Sequence, residues 1–225
     1  GVVIDEVTYA DGGRWGRWAD GGGASLELRD DHADNRLPSN WADSAAPNNA
    51  TWTTVEFTGT LIQGDLVSPI NALEIILLGA GECLVDNIEV IANSVNKVGN
   101  GTFATGSSGW TNQGNHDLSS FSASGGYGDN GGCLYVRAAG AGDYLDNRIL
   151  SEYWLSALAG GSTATIRARV RWLRGQPEIV LRLRGNWLEA AGSISIPTSL
   201  GSPGLVNTGV GNAGRLTHYH LNHSF

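Results

Sequence analysis

Residues 162–188 read STATIRARVRWLRGQPEIVLRLRGNWL and show the chain's clearest alternation of apolar and polar positions. Ala164, Ile166, Ala168, Val170 and Trp172 fall on one face, with Thr165, Arg167, Arg169 and Arg171 on the other. After residues 174–177, which carry Gly175 and Pro177, the pattern resumes. Ile179, Leu181 and Leu183 stand against Val180, Arg182 and Arg184. A period of two sets successive side chains on opposite faces, so the pattern predicts two long strands joined by a tight turn, with one dry and one wet face. Burying six large side chains is worth ~10–15 kcal/mol at ~1.5–3 kcal/mol each. A lone hairpin cannot realise that gain, because nothing covers its dry face. A second sheet has to lie across it, which predicts an all-β, antiparallel β-sandwich.

The rest of the chain supplies strands for that second layer. GVVIDEVTY opens with alternation. ASLELR, TWTTVEFTGTL, GGCLYVRA, DYLDNRIL and AGSISIP each read as a strand. ALEIILL and ECLVDNIEVI read as a buried hairpin turning at residues 79–81. Between them lie glycine-rich or polar connections, DGGRWGRWADGGG and DDHADNRLPSNWADSAAPNNA among them. The polar stretch ANSVNKVGN sets a domain boundary near residue 96, giving units 1–96 and 97–199 and a tail, 200–225. GGASLELRDDHADNRL echoes GGCLYVRAAGAGDYLDNRIL, which suggests two related sheets, packed as two modules.

Composition sharpens the picture. The 225 residues contain 33 glycines and no long helical periodicity, the profile of a sandwich or jelly roll. A net charge of −8 argues against generic nucleic-acid binding, which needs a basic footprint. No apolar run approaches the ~20 residues of a membrane span. Thirteen of the 14 basic residues are Arg, and six of these lie between residues 167 and 184. Arg offers a planar fork that matches carboxylates and stacks on rings, where Lys is a solvated point charge. Cys83 and Cys133 are either a disulfide, worth up to ~4 kcal/mol for so long a loop, or two buried thiols. With no methionine in the sequence, Gly1 is expected to begin a processed or excised piece of a larger protein.

GNGTFATGSSGWTNQG, with Asn100, Phe103 and Trp110, resembles the opening of jelly-roll carbohydrate-binding modules of families 4 and 9, in the galactose-binding-like superfamily. GGCLYVRA and LSALAGGSTATIRARV follow in the order those modules use, and ECLVDNIEVI resembles their closing strand, with Asp86 and Asn87 in place. The resemblance implies a carbohydrate-binding jelly roll with a structural calcium ion, for which Asp86 is the candidate ligand. Two features depart from the family: the closing strand precedes the opening segment, and Ala104 stands where an acidic residue is usual. One carboxylate is also far fewer than the six to eight oxygens calcium takes. The terminal segments, VVIDEVTYADGGRWGRWADGGG onward and TSLGSPGLVN, look like parts of lamin-tail-like domains. That likeness implies a secreted bacterial surface protein of several domains.

Sugar-binding surfaces combine flat aromatics, which stack on pyranose C–H faces, with amides and Arg forks for hydroxyls. Two places offer this. One is the wet face of the ribbon, with Arg167, Arg169, Arg171, Arg182 and Arg184, joined by Tyr135 and Arg137. The other is the loop of Trp15 and Trp18. Trp41, Trp52, Trp110, Trp172 and Trp187 are expected in the core. Enzyme chemistry is less evident: no G-x-S-x-G elbow occurs, and neither cysteine has a neighbouring histidine. His218, His220 and His223 are similar in spacing to the HxHxDH signature of metallo-β-lactamase-type hydrolases, with Asn222 in place of the Asp. The expectation is a non-catalytic, extracellular glycan-binding module. The rivals are a small hydrolase, a glycosidase or a metal-assisted esterase or lactonase, and a structural spacer.

Overall fold

The computed structural model describes residues 6–10, 13–20, 24–44, 51–61, 69–129, 131–143, 145–154, 157–176, 178–185, 189–193 and 206–207. Its strands are β1 (Leu26–Leu28), β2 (Trp41–Asp43), β3 (Thr53–Thr60), β4 (Leu73–Leu77), β5 (Gly81–Ala92), β6 (Val95–Asn96) and β7 (Trp110–Asn112). They continue with β8 (Ser120–Ser122), β9 (Cys133–Ala138), β10 (Ile149–Ser151), β11 (Thr163–Gly175), β12 (Glu178–Leu183), β13 (Glu189–Ser193) and β14 (Val206–Asn207). The first large sheet runs β3-β11-β5-β9-β8, with β6 also on β5. The second runs β14-β13-β12-β4-β10-β7, and β1 with β2 makes a small third sheet. Every strand pair described is antiparallel, so the fold is an all-β antiparallel sandwich.

β11 is the spine of the first sheet, and its alternation holds. Ala164, Ile166, Ala168, Val170 and Trp172 are all buried against Ile75, Leu77, Ile179, Leu181 and Leu183 of the facing sheet. A bulge in β5 sets two residues, Asn87 and Ile88, opposite the single residue Ala168, and Asn87 there adopts a left-handed φ of 47°. The bulge keeps Ile88 in the core while Glu89 stays on the outer face.

The tight turn is a different device from the one expected. β11 pairs with β3 and β5, whereas β12 pairs with β4 and β13 in the other sheet. The chain therefore turns a corner between sheets after Gly175 and does not form a hairpin there. The connection from β4 to β5 crosses between the sheets in the same way. The two corners lie side by side, with Gly175 opposite Gly81 and the Gln176 N–H donating to the Ala80 carbonyl at 2.8 Å. A Cβ on Gly175, whose φ is +88°, would lie 2.5 Å from that carbonyl oxygen, so only glycine fits.

The boundary near residue 96 does not divide the sandwich. β5, from before it, lies between β9 and β11, and β4 lies between β10 and β12. Both sheets interleave strands from either side of it. The echoed segments also part company, since β1 belongs to the small sheet and β9 to a large one. Residues 6–10 carry no strand, contrary to the alternation there.

Candidate functional site

The wet face expected to carry all the arginines separates into several groups. Arg167 donates through Nε to Glu56 on β3 and through Nη1 to Glu89 on β5 at 3.1 Å. The Glu56 hydrogen bond is the main cause holding its pKa above the ordinary value. Arg169 donates to the Thr54 hydroxyl, and its guanidinium carbon lies 4.5 Å from the centre of the Tyr127 ring. Arg171 is half-buried.

Tyr135 and Arg137 do point outward from β9, but into a closed network. The buried Glu82 carboxylate bridges Arg137 at 3.3 Å and Arg174 at 2.6 Å. Burial first, and then the neighbouring Glu82, push the Tyr135 phenol up to about 12.

Arg182 and Arg184 are not on this face at all. β12 sits in the second sheet, where Arg182 is only 4% exposed and stands opposite Glu74. Arg184 reaches Asn71 and stacks over Tyr153 at 5.0 Å. The cause is the corner after Gly175, which sends the second arm into the opposite sheet. There both of its faces are covered, so Val180 is as buried as Leu181.

Asp86 fits no calcium ion here. Its Oδ1 accepts the Asn87 N–H at 2.7 Å and its Oδ2 accepts the Tyr127 N–H at 2.8 Å, so donors occupy the positions a cation would need. Burial, partly offset by those two hydrogen bonds, holds its carboxyl above the ordinary value, which disfavours the anionic form a cation requires. Among the described residues, the group of ligand-type side chains close enough to share an ion is Asp30, Asp31 and His32, all exposed. His218, His220 and His223 lie outside the described residues, as does Trp187.

The cysteines are free and buried. Leu134 points into the core, so its neighbour Cys133 points to the outer face, while Cys83 shares the inner face with its partner Val136. The sheet separates the two thiols, which excludes a disulfide between them.

The two tryptophans of the glycine loop have different fates. Asp43 Oδ1 accepts the N–H groups of Trp18 and Ala19, both at 3.0 Å, which fixes the loop to β2. A Cβ on Gly16 would lie 2.3 Å from that oxygen, so a larger residue would have to displace the Asp43 carboxylate that holds the loop. Trp18 packs over Gly175 at the sheet corner, with the Arg17 guanidinium 4.8 Å from its ring, and Arg17 donates to the Ala139 carbonyl at 3.1 Å. It ties the loop to the sandwich.

Trp15 instead meets Trp41 at 6.2 Å and Tyr9 at 6.4 Å between ring centres. These rings, with Asp20, Ser25 and Leu26, line a cleft of about 510 Å³. Tyr9 is 71% exposed and Trp15 and Trp41 are half-buried, while the Trp41 Nε1–H donates to the Asn35 carbonyl at 2.7 Å. Trp41 was expected in the core, and Tyr9 carried no assignment. Trp52 is likewise half-buried and outside the core, edge-on to Tyr127 at 5.9 Å. Trp110 and Trp172 are core residues as expected.

A second cleft, of about 490 Å³, lies on the outer face of the first sheet between the β5 bulge and residues 96–102. Its chemistry comes from Asn87, Glu89, Arg167 and Arg169. Asn96 and Asn100 form its wall and spend their amides on backbone groups. Glu56 and Glu89 were legible as outward positions of their strands, but their meeting at Arg167 needed the strand order. No family model, curated protein or solved structure matches the chain, so its function is read from its own side chains.

Proposed function

We propose that this chain is a non-catalytic carbohydrate-binding domain of an extracellular, multi-domain protein, and that a sugar stacks in the cleft of Tyr9, Trp15 and Trp41. The observation that carries this reading is the convergence of three rings on one concave site with polar groups at its margin. An indole face covers the C–H face of a pyranose, and Asp20 and Ser25 are placed to meet hydroxyls at the edge. Trp15 and Trp41 are already half-buried and lose little conformational freedom on binding, which favours affinity.

Binding is favoured over hydrolysis by the carboxylate inventory. Asp20 is the one carboxylate lining this cleft among the described residues, whereas most glycosidases act through a pair flanking the scissile bond. Kinship with the jelly-roll modules belongs to the same proposal. Its support is local: Phe103 and Trp110 pack at 5.6 Å between ring centres, and the Asn100 side chain bonds Thr105, Gly106 and Ser108 across the turn. The test is a titration with a panel of neutral polysaccharides, read by tryptophan fluorescence and calorimetry, on wild type and Trp15→Ala. Binding without product release, lost in the variant, supports the reading. Product release, or no binding to any glycan, contradicts it.

A further inference from the structure

The cleft on the outer face of the first sheet differs in chemistry from the aromatic one, and Arg169 sets that difference. Arg137, Arg148, Arg167 and Arg174 each pair with a glutamate. Arg169 has a hydroxyl and a ring instead, and among the described residues it forms no ion pair. The carboxylate that stands opposite it on β5, Asp86, is turned away by the N–H groups of Asn87 and Tyr127. A guanidinium held over the Tyr127 ring, half-buried and lining a cleft, is a pre-organised receptor for a carboxylate.

We propose that this cleft binds a uronic-acid residue of an acidic glycan, with its carboxylate on Arg169 and its hydroxyls toward Glu89 and Asn87. The same cleft contains the Glu89 carboxylate, which accepts hydrogen bonds from hydroxyls and repels a dianion such as sulfate more strongly than a single carboxylate. A neutral sugar offers the guanidinium only hydroxyl oxygens, weaker acceptors than a carboxylate. A single carboxylate beside several hydroxyls answers both groups. Asn87 reinforces the match, since its buried Oδ1 accepts no hydrogen bond from any described residue and its amide retains bonding capacity.

The inference rests on the reading of the chain as a glycan binder, but it uses a different cleft, and the experiment separates the two. Calorimetry would compare oligomers of a polyuronate with the matching neutral oligomers, on wild type, Arg169→Gln and Trp15→Ala, at low and high salt. Arg169→Gln is expected to bind the uronate oligomer at least about tenfold more weakly and the neutral one unchanged, with wild-type uronate binding weakening as salt rises. Trp15→Ala is expected to show the reverse selectivity. Uronate affinity unchanged in Arg169→Gln, or insensitive to salt, overturns the proposal while leaving the aromatic cleft standing. Amide shifts in the wild-type nitrogen-15 NMR spectrum give an answer independent of any variant's folding. Uronate-induced shifts at Asn87, Glu89 and Arg169 support the site, and shifts confined to residues around Trp15 refute it.

Discussion

Arg169 and Asp86 stand opposite one another on neighbouring strands without pairing. Tyr127 intercepts both: its backbone N–H donates to Asp86 at 2.8 Å and its ring covers the Arg169 guanidinium at 4.5 Å. One residue therefore satisfies a buried acid and presents a base to the cleft.

Removing the acid should cost more than removing the ring. Asp86→Ala leaves two inward-facing N–H groups without their acceptor and is expected to destabilise the fold by ~2–4 kcal/mol. Tyr127→Ala keeps its N–H and loses the ring contact with Arg169, for ~1–2 kcal/mol. Urea denaturation of the two variants checks the order.

Stability should fall with acid as His116 is forced to charge. It is wholly buried, its Nε2 accepts the Leu77 N–H at 3.1 Å, and its Nδ1 bonds Asn115 at 2.6 Å, so the neutral ring is the form that fits. Burial lowers its pKa from 6.5 to about 4, against a smaller opposing effect of Asp143. The unfolded chain therefore takes up the proton first, and stability present above pH 6.5 is lost as the pH falls toward about 4, by up to ~3 kcal/mol. Asp86, whose carboxyl is held high by burial, has the opposite sign and gains from acid. Comparing urea midpoints of wild type and His116→Gln from pH 7 to pH 4 isolates the histidine, because the difference between them should vanish as it titrates.

The thiols should be inert in the native protein. Burial, ahead of the nearby Asp86, pushes Cys133 up to about 11, and burial raises Cys83 further. Neither forms appreciable thiolate at pH 8. A thiol-specific reagent is expected to label no cysteine in native buffer and both in urea, with identical gel mobility with and without reductant.

Gly175→Ala tests the sheet corner. The substitution puts a Cβ against the Ala80 carbonyl and the Trp18 ring at a positive φ, so a loss of at least ~2 kcal/mol is expected. Thermal or urea unfolding measures it.

The dry face of β11 was legible because a period of two needs only local sequence, and Trp172 to Ala164 lie where that period places them. The partners of β11 were not legible. Pairing depends on whether the chain turns back within a sheet or crosses to the other, and Gly175 serves either geometry. That ambiguity misplaced Arg182, whose polar position in the alternation is a buried site beside Glu74. It also hid the outer-face cleft, since Glu89, Arg167 and Arg169 line it together only once β11 and β5 are paired. Trp15 was identified from its glycine setting, but Tyr9 and Trp41 join it through the fold of the loop around Asp43, which no local pattern encodes.

The most direct test of the carbohydrate-binding account is the calorimetric titration of wild type and Trp15→Ala with neutral polysaccharide. Saturable binding to at least one glycan is expected, weakened at least about tenfold by the substitution, with the urea midpoint nearly unchanged. Equal affinity in both proteins, or no binding by wild type, would contradict it.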